Sequence, residues 1–310
     1  MTKVLLVDKV NVIAKEMLEK EGFEVDLLND LSEDEKLNIL PDYQAVVIRS
    51  STNLTQKYLE AGSQLKLIIR AGEGTDNIDK KFAAEKGMIV ENTPGQNSHA
   101  VAELALAHMF GLARHLQKAD ATTRAGQWEK KKLKGTELLK KTMGLLGGGK
   151  IARHLAVMAK GIGMEVIVHD PYLKPEDIEF PLVEFEELLK KSDYLSIHVP
   201  IVDSTRGMIG EAELAKMKKS AHIINCARGG IVDEQALADA VKGGVIKGAA
   251  IDVYTKEPAV ADNPLIGVDN IQLTPHLGAS SDEAQVNCAV AAADQIIAYF
   301  KNNEVLNKVN

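Results

Sequence analysis

Short runs rich in Val, Ile and Leu, each closed by turn-forming residues, alternate with amphipathic stretches along this 310-residue chain. That alternation constrains the fold more than any single motif. A strand that is followed by a helix and rejoins its own sheet does so by a right-handed crossover, which makes neighbouring strands parallel and covers both sheet faces with helices. The class read from this is α/β, with two doubly wound parallel sheets and a cleft between them. Strands are expected at 3–7, 24–28, 45–48, 67–69 and 89–91, with helices between them. A second series runs strand 143–146, helix 151–160, strand 165–169, helix 185–190, strands 194–197 and 222–225, helix 234–242, and strands 249–252 and 271–273. Two series in a chain of this length suit two domains of roughly 100 to 200 residues each.

Between the two series, residues 98 to about 126 read as one long helix whose first half, 100–113, is apolar on nearly every side. Such a helix must be buried, either by its own lobe or by a second subunit. The last helix, 282–300, is also apolar-rich and is able to pack back onto the first lobe. The domains expected are therefore 1–97 with 283–310, and 98–282.

The net charge of -7 supplies no basic stripe to displace counterions from phosphates, so nucleic acid is not an expected partner. Cys226 and Cys288 are the only cysteines and have no zinc-type spacing, which suggests a reduced, cytoplasmic chain without a metal. The run from Val4 to Val7 is closed by Asp8, and the longest apolar stretch, 104–113, contains His108, so neither a signal peptide nor a membrane span is read.

The strand at 143–146 runs directly into Gly147-Gly148-Gly149-Lys150-Ile151-Ala152, which fits G-x-G-x-x-G/A with Ala in the third place. The first Gly allows the tight turn, the second allows close approach of a pyrophosphate, and the small third residue lets helix and strand pack. This is the Rossmann-like arrangement, with the pyrophosphate on a helix N-terminus. Asp170 ends the next strand, where a carboxylate accepts from the adenosine ribose hydroxyls and repels the 2′-phosphate of NADP, so NAD is the expected cofactor. The plainer reading of Asp170 is a turn residue before Pro171.

Three later segments, 225–230, 254–258 and 274–280, each follow a strand, where open α/β sheets place their ligands. Oxidising a secondary alcohol by hydride transfer requires a base for the hydroxyl proton, and imidazole has a suitable pKa. His276 fits that need, Glu257 fits as the carboxylate that orients the ring, and Arg228 supplies paired N–H donors for a carboxylate or carbonyl oxygen. Singly, each has a plain structural reading: a surface ion pair, a turn carboxylate, a loop histidine. Cys226, which follows a strand, reads as a small packing residue of the cofactor site.

With Arg70-Ala71-Gly72, Gly74, Asp76, Asn77, Asn92-Thr93-Pro94, Trp128-Glu129-Lys130-Lys131-Lys132, Gly135-Thr136-Glu137, 225–233 and 275–280, the chain resembles the D-isomer-specific 2-hydroxyacid dehydrogenase family over essentially its whole length. The resemblance implies Arg228, Glu257 and His276 as the catalytic set. It implies cofactor contacts at Gly147, Gly149, Lys150, Ile151, Asp170, Val199, Cys226, Ala227, Arg228, Asp252, His276, Gly278 and Ala279. Substrate contacts are implied at Arg228 and His276, with the carboxylate on backbone N–H groups of Arg70, Ala71, Gly72, Glu73 and Gly74 and a phosphate near Arg49 and Arg70. The expected reaction is oxidation of a phosphorylated hydroxy acid, 3-phospho-D-glycerate, by NAD.

Other members share this set as reductases of hydroxypyruvate, glyoxylate or other 2-oxo acids, and a nucleotide-sensing corepressor-like module keeps the same residues. A homodimer built on the helix from Ser98 is implied as well. Two departures stand out. Glu73 places a carboxylate where an anionic ligand is expected, and the chain ends at Asn310 without the serine-sensing module of longer relatives, so feedback by serine is not expected.

Overall fold

Every strand lies in one of two wholly parallel sheets, in agreement with the α/β class read from the alternation. The computed structural model describes residues 1–310 and divides into two compact units, Met1–Asn97 with Ala279–Asn310, and Ser98–Gly278. The second boundary falls four residues before the one drawn from sequence (282 − 278 = 4), because Ser281 caps the last helix: its Oγ accepts from the Ala284 N–H at 3.2 Å. A cap and the turn leading to it belong with the helix they start.

In the first unit, β1 (Lys3–Leu6), β2 (Glu24–Leu27), β3 (Ala45–Ile48), β4 (Leu67–Arg70) and β5 (Ile89–Asn92) lie in the order β2-β1-β3-β4-β5. All four residues of β3, Ala-Val-Val-Ile, are buried, a continuous apolar run being what a strand covered on both faces requires. One face packs Val4, Leu6, Val47 and Ile69 against Ala14 and Leu18 of the helix Ile13–Lys20 and against Ala289, Ala292 and Ala293 of the helix Asp282–Ile297. The pairing sets Ile48 opposite Arg70 and Arg70 opposite Asn92, so Arg49, Arg70 and Asn92 emerge along one edge. The chain end covers β5: Val309 donates to the Val90 carbonyl at 2.9 Å, and the fully buried Glu91 carboxylate accepts from Leu306 N–H at 2.6 Å. An edge strand with its polar groups satisfied no longer invites another chain to pair.

In the second unit, β6 (Thr142–Leu146), β7 (Glu165–His169), β8 (Tyr194–Ile197), β9 (His222–Asn225), β10 (Gly248–Ile251) and β11 (Ile271–Leu273) lie in the order β11-β10-β9-β8-β6-β7. The chain leaves β6 toward β7 on one side and returns to β8 on the other. The crevice where doubly wound sheets take ligands is therefore at the carboxyl end of β6.

The single helix expected over 98–126 is two, Ser98–Arg114 and Leu116–Arg124, separated by His115 in the left-handed region (φ 54). The first buries Val101, Ala102, Ala105, Met109, Leu112 and Ala113 in its own unit's core, whereas the second buries nothing, so no packing holds the two on one axis. The last helix likewise stops at Ile297 and continues as a π turn, Ala298–Asn302. No helix is long and apolar enough to cross a membrane.

His222, at the start of β9, is 4% exposed and stacks on Tyr194 with ring centres 4.8 Å apart. Burial, reinforced by the nearby charges of Lys247 and His115, pushes its pKa down to about 4. Below its ordinary pKa, near 6.5, the unfolded chain takes up a proton that the folded chain refuses until about pH 4. The stability this site contributes is thus complete above pH 6.5 and is lost as pH falls toward 4, at about 1.4 kcal/mol per pH unit. The His222→Gln variant should show a pH dependence of the urea-unfolding free energy that is flatter by about one proton in this window. An unchanged slope would assign that proton to another group.

Candidate active site

Gly147 follows β6 with φ +95, and a Cβ there would lie 2.7 Å from the His198 carbonyl oxygen and 3.1 Å from a Val199 methyl, so both conformation and space demand glycine. Gly149 is the N-cap of the helix Lys150–Gly161 and provides no side-chain cap, and a Cβ built on it meets nothing within 4 Å. The N-terminus of this 12-residue helix, the positive end of its dipole, therefore has no side-chain cap from its N-cap residue, and nothing crowds the side of Gly149. Behind it Ala152 is fully buried and Ile151 half-buried, while Lys150 is exposed. These residues fit a dinucleotide pyrophosphate.

Asp170, just past β7, accepts from the Gly148 N–H at 2.9 Å and from the Tyr172 N–H at 3.0 Å. It is both a turn residue and a brace for the glycine loop. Asp170→Ala is expected to weaken NAD binding about 10-fold or more and to narrow the preference for NAD over NADP, measured by calorimetric titration of both cofactors. An unchanged preference would leave Asp170 as a turn former alone.

Asn225 ends β9 and shapes the turn after it: its side chain accepts from Ala227 N–H at 3.0 Å and donates to the Arg228 carbonyl at 2.9 Å. Arg228 is half-buried, and its Nη1 donates to the Ala227 carbonyl at 2.7 Å. Burial, then the Asp252 charge, pushes the Cys226 thiol well above its ordinary range, so it stays a neutral packing group.

Glu257 accepts from the Tyr254 N–H at 3.0 Å through one oxygen and lies 2.7 Å from His276 Nδ1 through the other. Burial alone would raise the Glu257 pKa. The hydrogen bonds from His276 and Tyr254, with the charges of His276 and Arg228, outweigh it and hold the carboxyl below its ordinary range. An ionised carboxylate only accepts, so Nδ1 carries a proton, and in the neutral imidazole the lone pair then lies on Nε2. The structure thus joins Glu257 to His276 directly and sets Arg228 close enough to act on the same carboxylate.

Asp252, expected among the cofactor contacts, is fully buried, and its carboxylate is engaged elsewhere. It accepts from the Thr274 hydroxyl at 2.6 Å, the Leu277 N–H at 2.8 Å and the Gly278 N–H at 2.9 Å, bracing the loop that carries His276. Ala279, also expected on the cofactor, falls in the first compact unit.

In the first unit the turn after β3 is clamped from two sides. Asp8 accepts from Arg49 N–H and Thr52 N–H, both at 2.9 Å, while Asn77 donates to the Arg49 carbonyl at 2.8 Å and the Thr52 carbonyl at 2.6 Å. The Arg70 side chain folds over Gly72, where φ is +146 and a Cβ would collide with the guanidinium; its Nη1 donates to the Ala71 carbonyl at 3.3 Å. Gly74 is half-buried after the exposed Glu73.

The Glu73 carboxylate accepts from the Gly95 N–H at 2.8 Å, and its carbonyl accepts from Asn92 at 2.6 Å, so its charge is tied to the next loop. Burial pushes the Cys288 thiol up against the opposing influence of a Thr93 hydrogen bond and of both Arg70 and Arg49. Both guanidinium groups therefore act on one point of this unit. Thr52 was not singled out in the sequence, Asn77 entered only through the family resemblance and Asp8 only as the close of an apolar run; an Asp closing a strand is the turn cue that marks the last of them as a brace.

A glycine turn at a sheet's switch point, followed on the same sheet by a carboxylate-oriented imidazole beside an arginine, defines an α/β dinucleotide-binding protein equipped for proton transfer at a hydroxyl or carbonyl. The profile described as D-isomer specific 2-hydroxyacid dehydrogenase, NAD binding domain, matches residues 106–278, and the chain belongs to that family. It is 45% identical over 299 residues to a D-3-phosphoglycerate dehydrogenase of Synechocystis, covering 96% of this chain and 54% of that one. It is 43% identical over 282 residues to a hydroxypyruvate reductase of Thermotoga maritima, covering 90% of this chain and 92% of that one. The NAD-bound 3-phosphoglycerate dehydrogenase of Entamoeba histolytica superimposes with a TM-score of 0.84 at 29% identity, over 100% of this chain and 98% of that one. The chain spans 54% to 60% of the length of three D-3-phosphoglycerate dehydrogenases that it matches.

Proposed function

We propose that this protein oxidises 3-phospho-D-glycerate to 3-phosphohydroxypyruvate with NAD, the entry step of phosphorylated serine synthesis. The observation that carries the proposal is the 2.7 Å contact of the Glu257 carboxylate with His276 Nδ1, which leaves Nε2 as a base. NAD, when bound at the Gly147 loop, supplies the hydride acceptor. Nε2 of His276 takes the proton of the C2 hydroxyl, and Glu257 stabilises the resulting imidazolium. The Arg228 fork polarises the C2 oxygen, and Arg49 and Arg70 take the phosphate. In the reverse direction His276 returns the proton.

A second reading, reduction of hydroxypyruvate, is supported by the Thermotoga relative of nearly equal length. Self-association through the helix from Ser98 is supported by exposed apolar groups near it, Phe110 at 40%, Leu116 at 53% and Trp128 at 84%. The two unpaired cysteines support a reducing, cytoplasmic location.

The test follows NADH absorbance with 3-phosphoglycerate, D-glycerate and D-lactate, and NADH loss with hydroxypyruvate. Preference for 3-phosphoglycerate is expected. Preference for D-glycerate and hydroxypyruvate would move the assignment to the second reading, and no turnover with any of them would remove the enzyme reading.

A further inference from the structure

The helix Ser98–Arg114 carries a titratable group, His108, that the proposed chemistry does not use. It is 4% exposed, and its ring spans two partners on and just past β11: Nδ1 lies 3.2 Å from Gln272 Oε1, and Nε2 lies 3.2 Å from Thr274 Oγ1. The Thr274 hydroxyl donates its one proton to Asp252 at 2.6 Å, so toward His108 it can only accept. Nε2 of His108 is therefore the donor, Nδ1 of the neutral ring accepts, with the Gln272 amide turned so that its NH2 group faces Nδ1, and the proton order runs His108 to Thr274 to Asp252.

The loop at the far end of this chain is strained. His276 has φ +55, a left-handed conformation that is unfavourable for a non-glycine residue and persists only where its surroundings over-determine it. Asp252 is the anchor: its carbonyl accepts from His276 N–H at 2.8 Å, and its carboxylate takes Thr274, Leu277 and Gly278. A fully buried carboxylate depends on all its donors, because each one lost leaves charge without compensation.

We propose that His108 is a positioning residue for His276. By donating to Thr274 it fixes the hydroxyl's direction toward Asp252, and Asp252 in turn holds the backbone on which the His276 ring meets Glu257. The proposal rests on the reading of His276 as the base. A core histidine that only fills space would make the same contacts, so the test must separate alignment from folding.

Leucine at position 108 keeps an apolar side chain of similar bulk without the donor, while glutamine places an amide N–H near the position of Nε2. In the full chain, His108→Leu is expected to lower kcat with 3-phosphoglycerate about 10-fold, with KM and NAD affinity within about 2-fold, and His108→Gln to recover most of the loss. NMR titration of the His276 ring in the cofactor-free protein is expected to show a lowered pKa in the leucine variant and not in the glutamine one, since a displaced ring loses the Glu257 carboxylate. That readout needs no turnover, so failure of the substrate assignment leaves it intact. Wild-type kcat and an unchanged His276 titration in His108→Leu would overturn the proposal. So would equal kcat losses in both variants accompanied by a lower melting temperature and an unmoved titration, which would make His108 a structural residue only.

Discussion

The His276→Asn variant is expected to lose at least about 100-fold in kcat while its NAD affinity stays within a few-fold of wild type. Asparagine is chosen because it tolerates the left-handed backbone that His276 adopts at φ +55, so the loop braced by Asp252 keeps its path and only the base is lost. Glu257→Gln is expected to cost less, because an amide oxygen still orients Nδ1–H. It withdraws the charge, however. The imidazolium loses its counterion, the pKa of His276 falls, and the acid limb of kcat/KM for oxidation moves to lower pH. The carboxyl of Glu257 itself lies below its ordinary range in the folded protein, so the pair persists at and above ordinary carboxylate pKa values and fails only as pH drops through the depressed one. Normal turnover in His276→Asn would take His276 out of the chemistry and leave the 2.7 Å contact as a loop tether.

What the amino-acid order discloses about this molecule is local, and what it conceals is bridged across long separations. The β-branched runs place nearly every strand to within a residue, because a strand buried on both faces has no alternative to continuous apolar sequence. The break at His115 has no glycine or proline to announce it. It follows from where the core ends, at Ala113. The candidate residues at strand ends were readable for the same local reason, since turn chemistry after a strand marks where side chains project from the sheet. Their supports were not. His108 lies 166 residues from Thr274, Asp8 lies 41 from Arg49, and Asp252 lies 26 from Gly278, distances at which no periodicity or spacing rule connects a donor to its acceptor. The same blindness made Glu73 the least compatible residue of the sequence. A carboxylate beside an expected anion looks repulsive until the Gly95 N–H, 22 residues on, is seen to hold it.

Substrate choice should turn on Arg49 and Arg70. With both replaced by alanine, the ratio of kcat/KM for 3-phosphoglycerate to that for D-glycerate is expected to fall by roughly 100-fold or more, since charge-assisted hydrogen bonds contribute about 1.5 to 3 kcal/mol each and only one of the two substrates carries the phosphate. Arg49→Lys should recover part of the ratio by restoring charge, but not all of it, because an ammonium lacks the planar fork that matches two phosphate oxygens. The clamp of Asp8 and Asn77 on the Arg49 backbone means that the alanine variant removes the side chain without freeing the turn. A fall in the ratio therefore reports on the guanidinium groups themselves. Equal losses on both substrates would show that the arginines maintain the end of β3 and β4 rather than read a phosphate; hydroxypyruvate reduction would then be the better account of the same His276 and Glu257.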